Sequence, residues 1–184
     1  MSEQFVFGYG SLVNCATHTY TQPHKARLRG WRRQWVSSVS HHVTFLSVRS
    51  CDQDAIDGLI ANVPDNDWAA LDRRESGYAR QILDTAIISH THPDRPPIQM
   101  YKAREPLNVP APDAPPILLS YLDTVIAGFL EIYGEPGVAR FFASTDGWDA
   151  PILHDRADPI YPRAVPLTKE VETLVNEFLG SLLA

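Results

Sequence analysis

Phe5-Val6-Phe7 is an apolar run that gives way at once to Gly8-Tyr9-Gly10-Ser11-Leu12. Apolar residues closed off by glycines read as a buried strand that ends in a tight loop. Glycine lacks a Cβ, so such a loop is free to take positive φ and to bring its N–H groups close to a ligand. Amides that converge in this way form a small concavity suited to an anion such as a carboxylate. The loop is therefore expected to form one wall of an active site, with Glu75 as the other. A dinucleotide fingerprint needs a third glycine opening a helix, and Val13-Asn14-Cys15 supplies none. A serine-hydrolase elbow needs glycine two places after Ser11, where Val13 stands. A strand followed by a purely structural turn stays open on the loop alone.

The 184 residues suffice for one domain with a sizeable core, and 44% of them are hydrophobic, an ordinary value for a folded protein. The net charge of −6 argues against nucleic acid or an anionic membrane as partner. No apolar run approaches the roughly 20 residues of a membrane span. Met1-Ser2-Glu3-Gln4 runs straight into the first strand and leaves no room for a signal peptide. Cys15 and Cys51 fit neither a disulfide framework nor a metal-binding spacing. The expectation is a cytoplasmic protein with free thiols.

Residues 14–25 read as polar and irregular, with His18 and His24 as solvated loop residues rather than metal ligands. Residues 27–39 read as a strand from about Gly30, whose alternation sets Arg29, Trp31, Arg33 and Trp35 on one face. Such a stripe can stack bases, but one stripe in an acidic chain favours packed tryptophans with arginines snorkelling past them. One of these arginines could also steer an anionic substrate. The runs 43–48 and 56–63 are expected to form a hairpin about the turn-rich stretch 50–54. The adjacent His41 and His42 would point to opposite faces of a strand, which is poor metal geometry. Residues 78–88 alternate as a strand and 98–103 as another, with the His90–His92–Asp94 loop between them expected to be exposed rather than a metal site.

At Pro64-Asp65-Asn66-Asp67 the period changes to that of a helix start. Trp68, Leu71 and Glu75 follow at spacings of three and four, which puts them on one helical face. Asp72, Arg73 and Arg74 then lie toward solvent, while Glu75 points inward where Ser76-Gly77 ends the helix. Desolvation should raise its pKa, as a group that both takes and gives a proton near neutrality requires. A surface glutamate paired with Arg74 or Arg80 is the competing reading of the same spacing.

After residue 105, Pro106, Pro110, Pro112 and Pro115 precede Pro116 in a stiff linker. A helix is expected over 117–133 with Gly134 at its C′ position, then a short helical segment over 139–143. The polar stretch 154–163 reads as salt-bridged surface packing or as a cover over a cleft. Thr168 is expected to cap a last helix with Val171, Leu174, Val175, Phe178 and Leu182 along one side.

Phe7-Gly8-Tyr9-Gly10-Ser11-Leu12 resembles the opening signature of the γ-glutamylcyclotransferase family, including its ChaC-like, glutathione-degrading branch. Leu71-Asp72-Arg73-Arg74-Glu75-Ser76-Gly77-Tyr78 resembles the helix-end segment of that family, whose glutamate is the catalytic acid/base. The match makes Glu75 that residue. ChaC-type members usually carry a lysine and one more residue between the glutamate and Gly-Tyr, where Ser76 stands alone, so the resemblance does not fix glutathione as the donor. It covers residues 5–103. It implies an α+β fold, a small mixed β-barrel over 1–105 with flanking helices and a helical extension over 106–184 packed on it. It implies cyclisation of a γ-glutamyl amide to 5-oxoproline and a free amine, with no metal and no cofactor. Tyr9, Gly10, Ser11 and Leu12 would bind the substrate. Tyr101, in the strand beside the loop, would either reach it or pack in the core. The alternatives are a catalytically silent binding module on the same fold and a hydrolase using Ser11.

Overall fold

The computed structural model of the chain describes residues 3–38, 42–104 and 113–182. Its first strand, β1 (Phe5–Gly8), is buried along its whole length. That burial requires cover on both faces, and the alternation of side chains supplies it. Phe5 and Phe7 join the larger core, beneath the long helix α2 (Leu119–Ala143), while Val6 joins a smaller one with Val63, Trp68, Leu71 and Tyr101.

Around β1 stand two long strands, β2 (Thr21–Val36) and β3 (Phe45–Asn62), and the shorter β4 (Tyr78–Ile82), β5 (Ile88–His90) and β6 (Ile98–Ala103). Their order is β4-β6-β1-β3-β2-β5, with β1 parallel to β6 and antiparallel to β3. Two further short strands, β7 (Ile117–Leu118) and β9 (Ile152–Leu153), form a separate parallel pair, and β8 (Thr145–Asp146) adds to β2. The expected barrel is absent among the described residues. The end strands β4 and β5 do not pair with each other, and α2 covers the open face instead.

Several expected boundaries also shift. The 50–54 stretch is no hairpin turn. β3 runs through it, and the register jumps from Trp31↔Ser50 to Arg29↔Ala55, so that the extra residues are absorbed opposite Gly30. The β2–β3 connection lies instead in 37–44, of which 39–41, including His41, fall outside the described residues. Residues 21–25, expected to be irregular, are strand; Pro23, which has no N–H to give, sits at a register shift between Thr21 and His24. The single strand expected over 78–88 is two, β4 and β5, on opposite edges of the sheet.

The jump at Gly30 (φ 78°) changes the phase of β2. Arg29 stays exposed, whereas Arg33 and Trp35 turn into the core. Arg33 does not snorkel; it is fully buried, with its guanidinium 5.0 Å and 4.9 Å from the ring centres of Phe129 and Phe141.

The helices follow the sequence more closely. α1 (Trp68–Arg74) begins at Asp67, whose carboxylate accepts from the Ala70 N–H at 3.0 Å, and buries Trp68 and Leu71. α2 breaks at Gly134 (φ 65°), just before Pro136, so it is two helices joined across a kink. Its first turn starts two residues later than expected because Ile117 and Leu118 pair as β7. α3 (Lys169–Leu182) is entered at Thr168, whose hydroxyl accepts from the Val171 N–H at 3.3 Å. Val171, Val175 and Leu179 are its buried residues, whereas Leu182 is exposed. The linker residues 105–112 lie outside the described residues. No helix among the described residues is long and apolar enough to cross a membrane.

Candidate active site

β1 delivers the glycine turn to the end of the sheet, where residues Ser11–Val13 and Cys15–Thr17 form two short 3-10 turns. Neither Gly8 nor Gly10 has positive φ, contrary to expectation. What excludes a side chain is space: a Cβ on Gly8 would lie 2.4 Å from that of Leu12, and one on Gly10 would lie 2.8 Å from the Tyr121 hydroxyl. The N–H groups of Tyr9, Gly10, Ser11 and Leu12 donate to no main-chain carbonyl among the described residues. The Ser11 N–H meets the Tyr121 hydroxyl instead, and amides left free at the start of a helical turn are a ready anion cradle.

The turn is fixed from behind. The Tyr9 carbonyl accepts from Arg33 Nε at 2.8 Å, and the Tyr9 hydroxyl donates to the Tyr101 carbonyl at 2.8 Å. Arg33 also donates to the Ser144 hydroxyl at 2.8 Å and to the Asp57 carbonyl. Burial disfavours the charge on Arg33, and nearby Asp57 offsets this. Arg27 and Arg140 in turn bind the Asp57 carboxylate at 2.7 Å and 2.6 Å.

Glu75 is the C-cap of α1 and faces the glycine turn across a cavity. Its side chain is 19% exposed, and burial raises its pKa against the opposing charges of Arg74 and Arg163. Arg74 does not lie toward solvent as expected. Its side chain is 11% exposed, its Nε stands 3.2 Å from Glu75 Oε1 without hydrogen-bond alignment, and its Nη1 donates to the Thr17 carbonyl at 3.3 Å. Arg74 thus props the carboxylate while leaving its oxygens without a strong fixed donor.

The cavity has two lobes. An inner one of about 40 Å³ is lined by Gly8 to Leu12, Leu46 and Tyr101. An outer one of about 220 Å³ is lined by Val43 to Phe45, Arg74, Leu118, Tyr161 and Arg163. Ser11, Glu75, Tyr78 and Tyr121 line both. All six residues singled out from the sequence, Tyr9, Gly10, Ser11, Leu12, Glu75 and Tyr101, therefore meet at the inner lobe. The Tyr101 hydroxyl is turned away to Asp72 Oδ1 at 2.5 Å, so its ring alone faces the cavity.

Sequence reasoning missed Tyr78, Tyr121, Tyr161 and Arg163. Tyr78 is anchored by a hydrogen bond to the Leu46 carbonyl at 2.7 Å. The rings of Tyr121 and Tyr161 meet edge to face at 5.0 Å. No local pattern announces residues that meet only when α2 and the 154–163 stretch fold over the sheet. Cys15 and Cys51 are both free. Among the described residues, no cluster of His, Cys, Asp or Glu is able to hold a metal ion.

The fold that carries this site recurs in solved structures. A gamma-glutamyl cyclotransferase superposes with a TM-score of 0.59 at 15% identity, over 95% of this chain and 99% of that one. A human protein described as uncharacterized protein loc79017 gives 0.59 at 14%, over 96% and 99%. YkqA from Bacillus subtilis gives 0.58 at 15%, over 80% of this chain and 57% of that one. At such identities the likeness is one of fold. A comparison with curated protein sequences finds no match. The family model described as ChaC-like protein matches residues 4–103, more than half of the chain. The chain belongs to the ChaC-like family.

Proposed function

We propose that this chain, an enzyme of γ-glutamylcyclotransferase type by its family, closes the γ-glutamyl group of a small amide into 5-oxoproline and frees the amine. The observation that carries the reading is a desolvated glutamate set across a small cavity from a turn whose amides donate to no main-chain carbonyl among the described residues. A γ-glutamyl amide contains its own nucleophile. The α-amine attacks the γ-carbonyl, an N–C bond forms to close the ring, and the C–N bond to the leaving amine breaks. The protein has to hold the cyclising conformation and move protons.

In this reading Glu75 takes a proton from the α-ammonium and returns it to the departing nitrogen. Its raised pKa suits it to both tasks. The N–H groups of Tyr9 to Leu12 hold the substrate carboxylate and the oxyanion that develops on the γ-carbonyl. Ser11 is then a ligand, not a nucleophile: its hydroxyl meets the Tyr121 phenol, not the histidine or carboxylate base that an activated serine requires.

The test is release of 5-oxoproline from glutathione, a γ-glutamyl amino acid and a γ-glutamylamine. Glu75→Gln should keep the fold and substrate binding while turnover falls about 10²–10⁴-fold. Equal turnover by the two proteins removes Glu75 from the reaction. Binding of every donor without 5-oxoproline from any of them leaves a binding module.

A further inference from the structure

One charge in the outer lobe, Arg163, has so far entered only as a charge opposing burial at Glu75. Arg163 lines that lobe and not the inner one. It is exposed, and no hydrogen bond, and no ion pair within 4.0 Å, joins it to another described residue. It belongs to the 154–163 stretch, beyond the residues 4–103 that match the family.

That stretch is a built wall. The Asp155 carboxylate accepts from the Ser120 N–H at 2.8 Å, the Ser120 hydroxyl at 2.5 Å and the Ile160 N–H at 3.0 Å. Arg156 grips Asp123 through two hydrogen bonds, at 2.7 Å and 2.8 Å. Tyr161 packs against Tyr121, and Arg163 follows two residues later. The charged side chains of the lobe are Arg74, Glu75 and Arg163. Arg74 is already engaged by Glu75 and Thr17, whereas Arg163, although Glu75 feels its charge, touches no carboxylate within 4.0 Å among the described residues.

Resting on the proposed function, the direction of the substrate follows from the lobes. With the γ-glutamyl group on the glycine turn, the scissile bond lies beside Glu75, which borders both lobes, and the leaving amine extends into the outer one. We propose that Arg163 receives a carboxylate carried by that leaving amine. The donors are then γ-glutamyl amino acids or peptides, and γ-glutamyl alkylamines are poor substrates. Guanidinium pairs with carboxylate through two parallel hydrogen bonds, which gives orientation as well as attraction.

The experiment compares γ-glutamylalanine with γ-glutamylethylamine, which share the γ-glutamyl group and differ by the carboxylate. Wild type should favour the first by up to about fivefold in kcat/KM, a size suited to an exposed charge pair. Arg163→Met should bring the ratio near one, mainly through KM, and Arg163→Lys should restore part of it. Raising the salt concentration should shrink the wild-type preference, a readout that needs no variant. Equal losses on both donors would instead make Arg163 act on the γ-glutamyl half or through Glu75, and an unchanged ratio would give it no part in recognition; either overturns the proposal. If neither donor yields 5-oxoproline, calorimetric binding of the same two compounds decides. Tighter binding of γ-glutamylalanine that Arg163→Met abolishes keeps the inference while the cyclising function falls, and equal binding ends both.

Discussion

A carboxylate at the end of a short helix is ordinary; one whose helix buries it beside the core is not. Trp68 and Leu71 anchor the inner face of α1, and Glu75, one turn beyond Leu71, has to follow them inward. Burial is the largest influence on its pKa and raises it, while Arg74 is the foremost opposing charge. As the proposed base, Glu75 acts when ionised, so activity should be lost as pH falls through a pKa above the ordinary glutamate range. Arg74→Met removes the main lowering influence, and the acid limb of the kcat/KM profile should move to higher pH. The same shift bears on stability. Between the ordinary and the raised pKa the folded state binds a proton that the unfolded chain has released, so stability falls as pH rises through that window. Glu75→Gln should therefore melt above wild type at neutral pH. The gap should close once the pH is below the ordinary carboxylate range. Thermal melts at several pH values check both signs.

Among the elements, the first turn of α2 is capped from a distance. Leu118, at its N-cap position, offers no side-chain acceptor, and Asp155, 35 residues beyond Ser120, supplies one to the Ser120 N–H. Burial alone would raise the Asp155 pKa, but the hydrogen bonds from Ser120 and Ile160 outweigh it and hold the carboxyl below its usual range. Its contribution is present above the ordinary carboxylate pKa and is lost as pH falls through the lowered one. Asp155→Ala should cost about 2–3 kcal/mol, since it strands several donors at a buried site. It should also loosen the wall that carries Tyr161 and Arg163. Urea denaturation measures the first effect. A raised KM for γ-glutamylalanine, with the γ-glutamylethylamine KM less changed, reports the second.

Across the whole molecule, Arg33 ties the layers together. From β2 it reaches the glycine turn, the β3 backbone and Ser144 just after α2, with aromatic rings of α2 against it. Replacing it by methionine keeps the volume but leaves buried carbonyls without a donor, at about 3–5 kcal/mol. Arg33→Lys should recover little, because an ammonium cannot serve three fixed directions from one plane. Chemical denaturation of both variants tests this. Residual activity that fails to recover at low temperature, where the fold is intact, would show that the turn itself has moved.

The short-range marks in the chain were sufficient for the first strand, for α1 with Glu75 at its end, for the break at Gly134 and for the Thr168 cap, because each depends on residues within a few positions of one another. The glycine turn and Glu75 were each marked by a short motif of the family resemblance, but that they face one another depends on residues more than sixty positions apart. The phase of β2 was not, since the residues opposite Gly30 come from another strand and shift the pairing by more than local alternation can anticipate. The fate of Arg74, Tyr121, Tyr161 and Arg163 was hidden as well. Their surroundings are made by segments as far apart as Ser11 and Arg163, and only burial of α2 on the open sheet, where a closed barrel was expected, brings those segments to one cavity.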